Sequence, residues 1–134
     1  MVDFGCITTK ANTLLEDRLE KINIELEKIL KKYSPFEVAV EELFFSSNVK
    51  TAMAVGQARG VVLLTCKQNH CVVAEYTPNQ VKNAICGYGN ADKCQVQNMV
   101  KLLLKLDEIP KPDDAADALA IAICHANSRK MNQL

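Results

Sequence analysis

Short runs rich in β-branched and aromatic residues alternate with long runs of helical periodicity along this chain, and that alternation restricts it to an α/β architecture. Residues 2–9, 36–44 and 71–76 have strand character. Between the first two runs, Leu15, Leu19, Ile22, Leu26, Ile29 and Tyr33 recur at intervals of four and three. They form one apolar stripe on a helix of about 20 residues and about 30 Å. Thr13 and Glu16 match a capping box at its start, and Ser34-Pro35 ends it. The stripe is too short for a stable coiled coil, so packing on a sheet is the expectation.

A second helix is predicted over residues 49–67, capped by Ser46-Ser-Asn48. Within it Ala52, Gly56 and Gly60 recur every four residues. Glycine costs about 1 kcal/mol against alanine in a helix interior, so this ridge needs a packing reason. Close contact with the domain's own sheet and a subunit interface both supply one. Thr77-Pro-Asn-Gln80 combines an N-cap, a proline at the first helical position and a capping-box glutamine, and opens a helix that stops at Gly87. Further helices are predicted over residues 91–106 and 114–127, separated by Ile109-Pro-Lys-Pro112. Parallel strand pairs joined by right-handed crossovers follow from this order, with ligands expected beyond the carboxyl ends of the strands.

The 134 residues suit a single domain, 1–134, with a real core. Sixteen basic residues balance sixteen acidic ones, so nucleic-acid binding would have to come from a local patch and not from net charge. There is no signal-peptide pattern, and the most apolar stretch carries Gln57 and Arg59; a soluble, cytoplasmic chain with no membrane contact is expected. Cys6, Cys66, Cys71, Cys86, Cys94 and Cys124 contain no Cys-x-x-Cys pair. They read as free thiols, with Cys66, His70 and Cys71 the nearest approach to a ligand cluster.

Two acidic clusters carry the chemistry. One lies in the strand Val38-Ala-Val-Glu-Glu-Leu-Phe-Phe45 and the other opens the last helix, Asp113-Asp-Ala-Ala-Asp-Ala-Leu-Ala120. Successive strand residues face opposite ways, so only one of Glu41 and Glu42 can face a site. Asp114 and Asp117 share a helix face, with Cβ atoms about 5–6 Å apart. Carboxylates converging from separate elements suit Mg²⁺ or Mn²⁺. Asp113 is accounted for as an N-cap, and Asp114 in part by the helix dipole. Asp117 lies a turn further in, before an apolar stretch where an unpartnered carboxylate is costly.

The chain resembles the RuvC family of Holliday junction resolvases, within the RNase H-like superfamily. The stretches that carry the resemblance are Gly5-Cys-Ile-Thr-Thr9, Val40-Glu-Glu-Leu-Phe44, Gly56-Gln-Ala-Arg-Gly60, Glu75-Tyr-Thr-Pro-Asn-Gln-Val-Lys82, Lys93-Cys-Gln-Val-Gln-Asn-Met-Val100 and Asp114-Ala-Ala-Asp-Ala-Leu-Ala-Ile-Ala122. It implies a mixed sheet flanked by helices and a structure-specific endodeoxyribonuclease that resolves four-way junctions in recombination and repair. Glu41, Asp114 and Asp117 would be three of the carboxylates holding a pair of Mg²⁺ ions, which activate water and stabilise the leaving oxygen. Phe44 would stack on a base at the junction centre, although a core position also accounts for it. Lys82 and Lys93 would neutralise backbone phosphate. The 49–67 helix would form a homodimer, with two sites on one junction. The branch-migration proteins RuvA and RuvB are the implied partners. His125, about 12 Å along the helix axis from Asp117, reads as a packing or surface histidine.

The family's opening strand, with Ile-Asp-Pro-Gly and the first metal-binding Asp, and the strand hairpinned to it have no counterpart in these residues. An Ile-Asp-Pro-Gly-like strand is expected in the reading frame upstream of Met1. The alternative for the chain as written is a nuclease-dead fragment that binds junctions or dimerises without cutting.

Overall fold

The structure is a computed structural model that describes residues 1–42 and 49–132. Phe44 and the Ser46-Ser-Asn48 cap lie outside the described residues. The elements run α1 (Leu15–Tyr33), β1 (Glu37–Glu41), α2 (Val49–Gln68), β2 (Val72–Tyr76), α3 (Pro78–Cys86), α4 (Lys93–Leu104) and α5 (Asp113–Asn132). The two strands pair in one sheet. Val72 N–H donates to the Phe36 carbonyl at 2.9 Å and Glu42 N–H to the Tyr76 carbonyl at 2.8 Å, a register that advances in the same direction on both strands and is therefore parallel.

The contacts gather into two compact units. One comprises Ile7–Val38 and Leu43–Val73. Here α1 packs on α2 over a core of Leu30, Cys66 and Cys71, with Leu26, Val38, Val62 and Val73 against it. The end of α2 is closed by a Schellman motif: Cys71 N–H reaches the Cys66 carbonyl at 3.0 Å and His70 N–H that of Lys67 at 3.1 Å. His70 takes the left-handed conformation this closure requires, with φ 61°.

The other unit comprises Met1–Cys6, Ala39–Glu42 and Ala74–Leu134. Helices α3, α4 and α5 pack on one another around Val81, Ile85, Val96, Val100, Leu119 and Ile121, and Ala39 in the middle of β1 and Tyr76 at the end of β2 pack against this core. Two reciprocal capping boxes orient its shorter helices. Thr77 and Gln80 form the expected one on α3, and Asp92 with Gln95 forms a second on α4. Among the described residues no helix is long and apolar enough to cross a membrane.

Several local expectations are corrected. Residues 2–9 form no strand. No described strand pairs with them, Val2 is 87% exposed, and Phe4 N–H turns to the neighbouring Asp3 carboxylate at 2.9 Å, a local bond that competes with a ladder. Thr13 does not cap α1, because its hydroxyl donates back to the Lys10 carbonyl at 2.7 Å, and Leu14 is the N-cap with no side-chain bond. Helix α4 is shorter than the predicted 91–106, since Asp92 caps it and Lys105 ends it in the left-handed region at φ 53°. Helix α5 starts at Asp113 and continues past residue 127. Gly56 and Gly60 do not press on the sheet: a Cβ at either would meet nothing within 4 Å.

Candidate active site

The carboxylates of interest all lie in the second of these units, where β1 ends and α5 begins. Strand alternation sets the first of them. Glu42 is exposed while its N–H closes the ladder with Tyr76, and Glu41, pointing the other way, is half-buried. Burial pushes the Glu41 carboxyl above its usual range, and the negative charge of Asp117 pushes it further. Carboxyl groups from β1 and α5 are thus within electrostatic reach of each other. Of the expected site residues, Asp117 is the one whose charge acts on Glu41.

Helix α5 presents its carboxylates on successive turns. Asp113 and Asp114 occupy its first turn, Ala115 N–H bonds back to the Pro112 carbonyl at 2.9 Å, and Asp117 follows one turn in, between the buried Ala116 and Leu119. Lys93 is the first residue of α4, directly after its Asp92 cap. Its Nζ lies 3.2 Å from Asp113 Oδ2 and 3.8 Å from Asp117 Oδ2. Gln97, one turn further along α4, donates from Nε2 to Asp113 Oδ1 at 3.2 Å. The hydrogen bond to Asp113, and then the charge of Asp117, hold the Lys93 ammonium above its ordinary pKa, with Asp114 contributing through its charge. The bonds from Lys93 and Gln97 hold Asp113 below its own.

Asp113 is therefore more than a helix-start residue: it anchors the ammonium that leans over Asp117. The signal for this was its spacing of one helical turn from Asp117. Asp114 is exposed and enters the corner through its field on Lys93. Lys82 lies half-exposed on α3 and makes no ion pair among the described residues. His125, expected to be a packing or surface histidine, packs on Tyr76: its Nδ1 lies 2.8 Å from the Tyr76 hydroxyl, with the rings in edge contact at 5.7 Å and 64°.

The oxygen donors here fit a hard divalent cation. Among the described residues no three His, Cys, Asp or Glu side chains group closely enough to hold an ion alone. A hard divalent cation can be held by one or two carboxylates, with water or phosphate oxygens completing its shell.

Comparison with known proteins identifies the family. The profile of the family described as Crossover junction endodeoxyribonuclease RuvC matches residues 1–125. The protein of that name from Halothermothrix orenii is 56% identical over 133 residues, covering 99% of this chain and 81% of the relative. That from Clostridioides difficile is 53% identical over 132 residues, covering 98% and 78%. The solved Thermus thermophilus RuvC aligns with a TM-score of 0.86 at 38% identity, over 94% of this chain and 76% of that one. The same protein in complex with Holliday junction substrate aligns at 0.89, with the same identity and coverage. The fold is RNase H-like α/β, and the chain belongs to the RuvC family of crossover junction endodeoxyribonucleases.

Proposed function

We propose that this chain resolves four-way DNA junctions by Mg²⁺-dependent phosphodiester hydrolysis, with Glu41 and Asp117 as the carboxylates that receive the metal and Asp114 added to them on family likeness. The observation that carries this reading is the pairing of a half-buried strand carboxyl with a helix carboxyl: Glu41 feels the charge of Asp117 across two separate elements. The charge of Asp117 disfavours the ionised form of Glu41, and a divalent cation would offset that opposition. When bound, such a cation supplies an activated water and stabilises the departing oxygen. Mn²⁺, with the same preference for oxygen donors, would substitute.

The remaining roles belong to the chain's own cations and rings. Lys93, held at the rim by Asp113, is placed to meet a backbone phosphate that approaches Asp117. Lys82 and Phe44 are assigned to DNA on family likeness, Lys82 for phosphate and Phe44 for stacking on an unpaired base. Both units together would form the one nuclease domain, 1–134.

A homodimer through the 49–67 helix fits the exposed surface of α2. Val49, Met53 and Leu64 are exposed at 70%, 61% and 58%, and Gly56 and Gly60 between them face open space. Small residues there allow close approach of a second backbone, and a two-fold axis would set two sites on one junction. Action alongside RuvA and RuvB completes the reading.

The test is cleavage of a synthetic immobile four-way junction, beside linear duplex of the same sequence, by the wild-type chain and by Asp114→Asn. Junction-selective cutting that Asp114→Asn loses is expected. Binding without cutting by the wild type would favour the nuclease-dead alternative. Equal cutting of linear duplex would remove the junction specificity.

A further inference from the structure

The Tyr76–His125 pair is used by none of the chemistry above, and it sits where that chemistry needs support. Tyr76 is the last residue of β2, and its carbonyl accepts the Glu42 N–H at 2.8 Å, immediately after Glu41. Its hydroxyl lies 2.8 Å from Nδ1 of His125 on α5, the helix that carries Asp117. A single residue is thus bonded through its main chain to the strand end that bears one carboxylate and through its side chain to the helix that bears the other. The path from Glu41 to Asp117 through these contacts has no flexible loop in it.

We infer that Tyr76 and His125 are positioning residues that fix α5 against the end of the strand pair and so set the separation of the Glu41 and Asp117 carboxylates. The inference rests on the proposed metal-dependent reading of that corner. Apolar packing alone would not supply this function. Leu119, Ile121 and the other core residues hold α5 in place, yet such contacts are non-directional and permit sliding or rotation along the interface. A short hydrogen bond with a defined angle does not. The edge-on contact of the two rings, at an interplanar angle of 64°, adds a second directional restraint. The phenol can meet Nδ1 as donor or as acceptor, so the bond forms with either neutral tautomer.

The need for such a restraint is also local. Glu41 and Asp117 repel one another when ionised, and the relaxed response of a loosely held helix would be to swing its carboxylate away. A site that must be ready for a cation before the cation arrives has to be held against that repulsion by its surroundings. Misplacing a reacting geometry by about 1 Å can cost about a hundredfold in rate, and a partial loosening of one contact should cost about tenfold.

The experiment uses the full chain. Mn²⁺ alone, without DNA, is titrated calorimetrically into the wild type, Tyr76→Phe, His125→Ala, His125→Asn and Glu41→Gln, and single-turnover junction cleavage is followed for the same set. Tyr76→Phe and His125→Ala are expected to weaken Mn²⁺ binding and slow the chemical step by about tenfold each, while junction affinity stays within about twofold of wild type. The double variant should lose no more than His125→Ala alone, because the hydroxyl–Nδ1 bond that Tyr76→Phe breaks is already gone in His125→Ala. His125→Asn, whose amide can take the place of Nδ1, should recover most of the loss. Unchanged Mn²⁺ affinity and cleavage rate in Tyr76→Phe and His125→Ala, with only the melting temperature lowered, would overturn the inference and leave the pair a structural contact. If Glu41→Gln binds Mn²⁺ and cuts as the wild type does, the underlying metal reading fails instead. Circular dichroism checks the fold of each variant, and should His125→Ala not fold, Tyr76→Phe, which keeps its ring, decides the question.

Discussion

The ammonium of Lys93 stands 3.8 Å from the carboxylate of Asp117 while it is anchored at 3.2 Å by Asp113. A cation of the chain's own thus occupies the approach to a carboxylate assigned to metal. The three side chains are 55%, 44% and 66% exposed, so each ion pair is a weak one. Lys93 can therefore yield to a divalent ion without a large cost.

Removing that ammonium should have two separable effects. Without DNA, Lys93→Gln should bind Mn²⁺ about two- to fivefold more tightly, the amount that loss of an exposed competing charge provides. With DNA, the same substitution should weaken junction binding uniformly across sequences and reduce the slope of log affinity against log salt by about one. Calorimetry checks the first effect and a salt titration of junction binding the second.

Glu41 makes a pH prediction of definite sign. Its folded pKa is raised by burial and then by Asp117, so between the unfolded and folded values the native state holds a proton that the unfolded state has released. The stability this group contributes is complete on the acid side of the ordinary carboxylate range and is lost as pH rises through the raised value. Glu41→Gln should accordingly raise the melting temperature of the metal-free protein at neutral pH, and the difference should shrink on acidification. Mg²⁺ at about a hundred times its Kd should add about 2.7 kcal/mol to the wild type and much less to Glu41→Gln. Scanning calorimetry over a pH series, with and without Mg²⁺, measures all of these.

The core around α4 and α5 sets a purely structural expectation. Val100 is fully buried among Val96, Leu119 and their neighbours, so Val100→Ala should cost about 2 kcal/mol through lost burial and the cavity left behind. Urea denaturation checks this, with an unchanged m-value.

On α2 the two glycines separate helix propensity from association. Gly60→Ala should stabilise the helix by about 1 kcal/mol, since the added methyl meets nothing within 4 Å. Gly60→Arg should keep the fold and abolish the proposed dimer. Light scattering after gel filtration reads the mass, and a dimer that survives Gly60→Arg would move the interface off this helix.

Much of the fold was legible in the residues, and the parts that were not have local causes. The stripe from Leu15 to Tyr33 and the Thr77–Gln80 box set α1 and α3 because both signals act within one helix and need no partner. The 2–9 run misled because β-propensity needs a neighbouring strand, and no described strand pairs with it. Thr13 misled because two patterns compete for one hydroxyl, and the turn at Lys10 takes it. At the site, strand alternation allowed one of Glu41 and Glu42, the spacing on α5 put Asp114 and Asp117 on one face, and the family resemblance named Glu41. In the sequence Asp113 reads only as a helix cap, and His125 only as a packing or surface histidine, for a shared reason. Their partners, Lys93 and Tyr76, lie on other elements, and a side chain's role across elements is written in packing and not in spacing.

The central claim is that Glu41 and Asp117 act together on one metal-dependent cleavage. Single-turnover cleavage of an immobile four-way junction in Mg²⁺, by the wild type and by Glu41→Gln and Asp117→Asn, tests it most directly. Each substitution should slow cutting by more than about a hundredfold while junction binding persists, as expected for loss of a metal-holding carboxylate. Cleavage at the wild-type rate by either variant would contradict the account.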